Sequence, residues 1–278
     1  MELSTIDLQD GSVAEWKAIL GPPTLQAADF SNSPTIPWDG SYDAADLTWS
    51  MWLGWSSSTG RLYVAIEKVD NEYMNEFALG NPFQFPGNDI IEFMVDGDHS
   101  GGEYGFAPDC CDTQEAWRRV HDSQAQHYLA IADAPDQQHL GYVGYGGASF
   151  APSPATSWPY ADAGGTSLGK GPTSSVIEFF VTPFDSLVWE APERGKVSML
   201  SPGKIIGFEV SLPDWDSAGS TTELMNYYTL SQQASTWRYA ERFVDGRLLG
   251  PSRSTAITAT SWGRIKASFG MTDVQGSR

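Results

Sequence analysis

The chain is short of basic residues, cysteine, histidine and long apolar runs, and each shortage closes off a class of function. Lys and Arg number 16 against 35 Asp and Glu, a net charge of −19. No basic footprint exists to release counterions from a phosphate backbone, so nucleic acid is not an expected partner. The two cysteines, Cys110 and Cys111, are neighbours and cannot staple distant segments, so they form no disulfide framework. The four histidines, His99, His121, His127 and His139, fall at no metal-ligand spacing. No apolar run approaches the roughly 18 residues that suggest a bilayer-spanning helix. The start of the chain, Met1-Glu-Leu-Ser-Thr5, has neither a charged nor an apolar leader region, so a signal peptide is absent from this sequence. Catalytic signatures are missing too: there is no Gly-x-Ser-x-Gly elbow, no phosphate loop and, with the cysteines side by side, no Cys–His nucleophile arrangement.

What is present is strand. Leu47–Leu53, Arg61–Val69, Asp89–Asp96, His127–Ala132, Val176–Val181, Ile205–Leu212 and Ala256–Phe269 carry alternation or β-branched and aromatic enrichment. Pro and Gly clusters separate them. Helical signals are confined to Thr113–Val120 and a turn near Ser220–Asn226. With 41% hydrophobic residues the chain can build a sizeable core. The expectation is all-β: one antiparallel β-sandwich, jelly-roll-like, with long decorated loops, spanning residues 1–278 as a single domain. A C-terminal strand extension is expected over about residues 251–270.

The most informative stretch is Asn88-Asp-Ile-Ile-Glu-Phe-Met-Val-Asp-Gly-Asp-His-Ser-Gly-Gly102. Ile91, Phe93 and Val95 alternate onto one face, which leaves Glu92 on the other, exposed face. The turn that follows offers oxygens from Asp96, Asp98 and Ser100 at alternate positions, with glycine behind them. That spacing suits a calcium ion, with Asp70 or Glu103 as further ligands, and it equally suits a solvated hairpin turn. Three strand interiors carry one glutamate each: Glu92, Glu178 and Glu209. They read either as solvated faces paired with Lys or Arg or as the floor of a polar groove. Trp237 sits among Ser235, Thr236 and Arg238, polar neighbours for one of the chain's 11 tryptophans, and reads as an exposed stacking face.

Several segments in order resemble one family. They are Ile6-Asp-Leu-Gln-Asp-Gly-Ser-Val-Ala-Glu-Trp16, Gly60-Arg-Leu-Tyr-Val-Ala-Ile66 with Asp70, Asn88–Asp96, Gly203-Lys-Ile-Ile-Gly-Phe-Glu-Val-Ser211 and Ser235-Thr-Trp-Arg-Tyr239. Together they resemble carbohydrate-binding module family 9, within the wider DOMON-like group of β-sandwiches, over about residues 8–250. The resemblance implies a sandwich with structural calcium and a sugar clamped between two aromatic side chains. On this chain the first clamp falls on Phe83 and Phe85, where a Trp is expected, and the second on Trp237, beside Arg238. The hydrogen-bonding glutamate of the family matches Glu92. Where the family uses an arginine on the next strand, the stretch Ala125-Gln-His-Tyr128 has none, and Tyr128 is the candidate ligand contact.

The function read from these residues is non-catalytic carbohydrate binding, with a poly- or oligosaccharide as partner, no membrane span and an extracellular or periplasmic location. A polysaccharide-cleaving enzyme on the same sandwich is the alternative, since two carboxylates suffice for glycoside hydrolysis. A haem-binding DOMON-like domain, with Met51, Met74, Met94 or His127 as axial ligand, is the third.

Overall fold

A computed structural model describes residues 6–34, 42–79, 87–105, 113, 121–143, 150–169, 172–216, 224–250 and 257–260. Cys110, Cys111, Phe83, Phe85 and most of the helix expected at Thr113–Val120 lie outside them. The first half contributes one helix, α1 (Ala14–Leu20), and eight strands. These are β1 (Leu25–Gln26), β2 (Ser31–Asn32), β3 (Leu47–Ser56), β4 (Arg61–Asp70), β5 (Ile91–Asp96), β6 (Gln126–Ala130), β7 (Leu140–Val143) and β8 (Phe150–Ala151). The second half adds β9 (Ala161–Leu168), β10 (Thr173–Val181), β11 (Phe184–Ser186), β12 (Lys196–Val197) and β13 (Ile205–Trp215). It ends with β14 (Leu224–Thr229), β15 (Val244–Leu248) and β16 (Ile257–Thr260).

All pairings are antiparallel, and they form two main sheets. The smaller has the order β1-β3-β4-β10-β9. The larger runs β16-β15-β13-β5-β6-β7-β8, with β14 pairing the far half of β13 and β2 pairing β14. Period-two alternation makes the sandwich. Leu47, Met51, Leu62, Val64, Ile66, Ile177 and Phe179 of one sheet share a single apolar core with Phe93, Val95, Tyr128, Ile206, Phe208, Val210 and Leu212 of the other. The expected all-β sandwich is therefore the architecture of the described residues. Of the C-terminal extension the described residues, 257–260, form a short strand, β16, against β15.

Both outer faces are covered as well, and here the structure departs from the sequence reading. On the smaller sheet, α1 and the segment before it lay Leu8, Val13 and Trp16 onto Trp52, Tyr63, Ala65 and Phe180. On the larger sheet, Tyr104, Ala125, Ala240 and Phe243 from the loops cover Met94. The strand glutamates are consequently buried, at 1% exposure for Glu92 and 0% for Glu178 and Glu209. None is a solvated face residue, because each meets a second layer folded back from a loop or the N-terminus. The turn expected to be helical near Ser220–Asn226 is extended from Leu224 onward, as β14.

Candidate functional site

The candidate site is the outer face of the larger sheet around Glu92. Register places it there: Glu92 lies opposite Leu129 on β6 and Ser211 on β13, while Met94 lies opposite His127 and Glu209. Both Glu92 oxygens are used. His127 Nε2 stands 2.7 Å from Oε2, and the Tyr227 hydroxyl donates to Oε1 at 2.5 Å. His127 and Tyr227 are buried too, so the carboxylate sits inside a three-residue network and not on an open groove floor. This corrects the expectation of an exposed Glu92 free to take sugar hydroxyls. Beside it, Glu209 accepts N–H bonds from Leu230 at 2.7 Å and Ser231 at 3.1 Å, which fix the turn after β14. Burial nevertheless pushes its carboxyl up to about 8.

Above this floor lie two laced loops. The Tyr104 hydroxyl donates to the Thr236 carbonyl at 2.9 Å, and the Tyr104 and Gly105 amides both donate to the Arg238 carbonyl. Ala240 N–H donates to the Gly102 carbonyl at 2.8 Å. Gly105 is required here, because a Cβ at that position would overlap the Trp237 carbonyl oxygen. Trp237 and Arg238 ride on this lacing, both half-buried. Arg238 Nε donates to Glu103 Oε1 at 2.5 Å, and its guanidinium lies 5.1 Å from the Tyr239 ring centroid. At the margin of the floor His121 Nε2 lies 3.2 Å from Asp122 Oδ2, both side chains buried. Burial, reinforced by His127, holds His121 down at about 4, and burial alone raises Asp122 well above the carboxylate range.

The sequence-predicted residues divide three ways. Glu92, Trp237 and Arg238 come to the same side of the larger sheet. Tyr128 does not: on β6 it alternates with His127, opposite Phe93, and sits in the core with its ring edge-on to Trp189 at 5.6 Å. In this arrangement no ligand at the surface reaches it. His127 and Tyr227 are neighbours of Glu92 that the sequence reading missed as such; with Gln126 and Asn226 beside them, nothing in their own strands singled them out. The exposed Trp158, at 69%, was also missed; it lies on the smaller sheet, with the Arg61 guanidinium 4.6 Å from its ring centroid.

The turn expected to hold calcium spends its oxygens on its own backbone. Asp96, buried, accepts from Gly101 N–H at 2.8 Å and Ser100 N–H at 3.3 Å, and Asp98 accepts from Ser100 N–H at 3.2 Å. Gly101 takes a φ of 66°, the left-handed turn that this path needs. Asp98 and Ser100 are exposed. Burial lifts Asp96 above its ordinary value, although the Gly101 N–H works against that.

Among the described residues no helix is long and apolar enough to cross a membrane. No protein-family profile matches the chain, and neither does any curated protein. Three solved chains are similar to it, two of them as follows. One is a carbohydrate-binding module of family 9 from Caldicellulosiruptor kristjanssonii in complex with cellotriose, 14% identical, covering 88% of this chain and 90% of that chain with a TM-score of 0.49. The other is a family 9 module from the same organism in complex with glucose, also 14% identical, covering 86% and 90% with a TM-score of 0.45.

Proposed function

We propose that the protein binds a poly- or oligosaccharide without cleaving it, outside the cytoplasm, at the surface formed by Trp237, Arg238 and Glu103. The observation that carries this reading is the half-buried Trp237 on a loop that is laced by backbone hydrogen bonds and flanked by an arginine–carboxylate pair about one-third exposed on each side. A sugar presents C–H faces that stack on indole and hydroxyls that bond to guanidinium and carboxylate. A rigid loop loses little entropy in presenting both. In this reading Phe83 or Phe85 supplies the opposing aromatic face, as the family resemblance implies. Glu92 acts from beneath, holding His127 and Tyr227 in place. The ordered motifs of the sequence support the same assignment.

The test is binding of the purified chain to neutral oligosaccharides by calorimetry, with a reducing-end assay on the same mixtures. Binding without product is expected. Trp237→Ala should weaken it about tenfold or more, ~1.4 kcal/mol, while Tm stays close to that of the parent. Product release, or undiminished binding by Trp237→Ala, sinks the proposal.

A further inference from the structure

Trp158 is the most exposed aromatic side chain among the described residues, and the local sequence holds it there. Ser153-Pro-Ala-Thr156 forms a single 3-10 turn with Pro154 at its first position. In it Ser153 Oγ accepts from Ala155 N–H at 3.0 Å and Thr156 Oγ1 accepts from Ser153 N–H at 3.0 Å. The Tyr160 and Ala161 amides then both donate to the Ser157 carbonyl, at 2.9 and 3.0 Å. Ala155 and Ala161, on either side, are anchored in the core. Trp158 stands between these anchors on a turn that its own backbone hydrogen bonds make rigid.

Beside the indole is the outer face of the smaller sheet. Phe180 of β10 lies there, opposite Tyr63 on β4 and Asp162 on β9. The Arg61 guanidinium is 3.8 Å from the Phe180 ring centroid, and Arg61 Nη2 donates to the Pro159 carbonyl at 3.0 Å. That bond fastens the guanidinium to the Trp158 turn and uses one of its five N–H donors. No carboxylate among the described residues forms an ion pair with Arg61. Asp162 brings a half-buried carboxylate to the same face, because its neighbours Ala161 and Ala163 turn into the core. The exposed neighbours in sequence are hydroxyls: Ser57, Ser58 and Thr59 before Arg61, and Ser157 before Trp158.

We propose that Trp158, Arg61 and Asp162 form a second carbohydrate-binding surface, on the opposite face of the sandwich from Trp237, that takes a neutral glycan chain. It shares the ligand class proposed for Trp237 but none of its residues and not its sheet. The indole offers a flat apolar face for the C–H side of a sugar ring. The guanidinium and the carboxylate at its edge offer donors and acceptors for the hydroxyls. A protein partner fits less well, since it needs contiguous apolar surface. The other exposed apolar residues of this sheet, Val69 and Leu168, lie at the far ends of β4 and β9. A nucleic-acid base would also stack on indole, but the net charge of −19 repels its phosphates, and it disfavours an anionic glycan for the same reason.

The experiment titrates the full chain with cellohexaose, xylohexaose and mannohexaose by calorimetry, with sedimentation velocity on the same samples. At least one probe should bind at a site that Trp158→Ala weakens about tenfold or more and Arg61→Gln about threefold or more. Leu168→Ala, at the far end of β9, should bind like the parent, and Trp237→Ala should keep this site. Trp158→Leu, which keeps bulk but not the flat ring, should show the same loss as Trp158→Ala, and replaces it should that variant melt early. A Trp158→Ala protein that binds every probe like the parent overturns the proposal and leaves the Trp237 reading standing. Binding lost in Trp158→Ala and untouched in Trp237→Ala upholds this site and removes the other. A parent that binds no probe overturns both. Self-association of the parent that Trp158→Ala abolishes, with sugar binding unchanged, makes Trp158 a contact between copies and overturns the proposal.

Discussion

At Glu92 a single carboxylate organises three strands. Its oxygens take His127 from β6 and Tyr227 from β14, while its own strand is β5. A buried polar network adds little net stability, but breaking one leaves an unsatisfied polar group in a dry site. Glu92→Gln keeps the shape and one acceptor oxygen but puts an amide nitrogen in place of the other, so one of the contacts to His127 and Tyr227 loses its oxygen. The expected cost is ~1–3 kcal/mol of unfolding free energy, read from urea denaturation. Glu92→Ala should cost more, since it leaves both Tyr227 and His127 without their acceptor. An unchanged midpoint in Glu92→Gln would mean that the network does not hold the floor of the site. The existence of a special glutamate was legible in the sequence, because Glu is a poor strand former among Ile91, Phe93 and Val95. Its partners were not. They lie 35 and 135 residues away in the chain, and only strand order brings them in.

Between elements, the close contact of Gly105 with the Trp237 carbonyl sets the height of the loop that carries Trp237 and Arg238. Gly105→Ala should push that loop outward, break the amide bonds to the Arg238 carbonyl, and cost ~1–3 kcal/mol. Carbohydrate binding should fall with it although neither Trp237 nor Arg238 is changed; a variant that binds at full strength would separate the loop from the ligand. Strand identity was largely readable from periodicity: Arg61–Val69 is β4 almost to the residue, and Ile205–Leu212 is most of β13. Helix α1 was not readable. It is short, its N-cap residue Val13 makes no side-chain cap, and only Trp16 of its residues is buried, so neither capping nor 3.6 periodicity announces it. The charged end of the core, where Lys68 and Asp70 are buried, was hidden for the opposite reason. The alternation that turns Leu62, Val64 and Ile66 inward also turns Lys68 and Asp70 inward, yet charge on a strand normally marks the solvent side.

Over the whole molecule, buried acids set the pH response. Burial holds Glu178 up to about 7, Glu209 to about 8 and Asp214 to about 7. In the unfolded chain these groups ionise near their ordinary 4.5 for Glu and 3.8 for Asp. Between those values the folded state therefore binds more protons than the unfolded one, and stability falls as pH rises. Growing repulsion across a chain of net charge −19 acts in the same direction. Tm should be higher at pH 5 than at pH 8. A Tm that climbs steadily from pH 5 to 8 would contradict this. The bond from Trp16 Nε1 to Glu178, 2.6 Å long and 162 residues apart in the chain, bears on how the protein comes into being. During synthesis, α1 emerges early and can meet Trp52, Tyr63 and Ala65 of β3 and β4, but its seat is incomplete until β10 has left the ribosome, because β10 supplies Glu178 and Phe180. The larger sheet waits longer still, since β5 cannot find β13 until more than a hundred further residues have been added. The β3–β4 hairpin can close early, but the nascent chain must carry its apolar faces, with Trp49, Trp52 and Trp55, uncovered through much of translation, which makes early strands, and not late ones, the segments that a holding chaperone would meet.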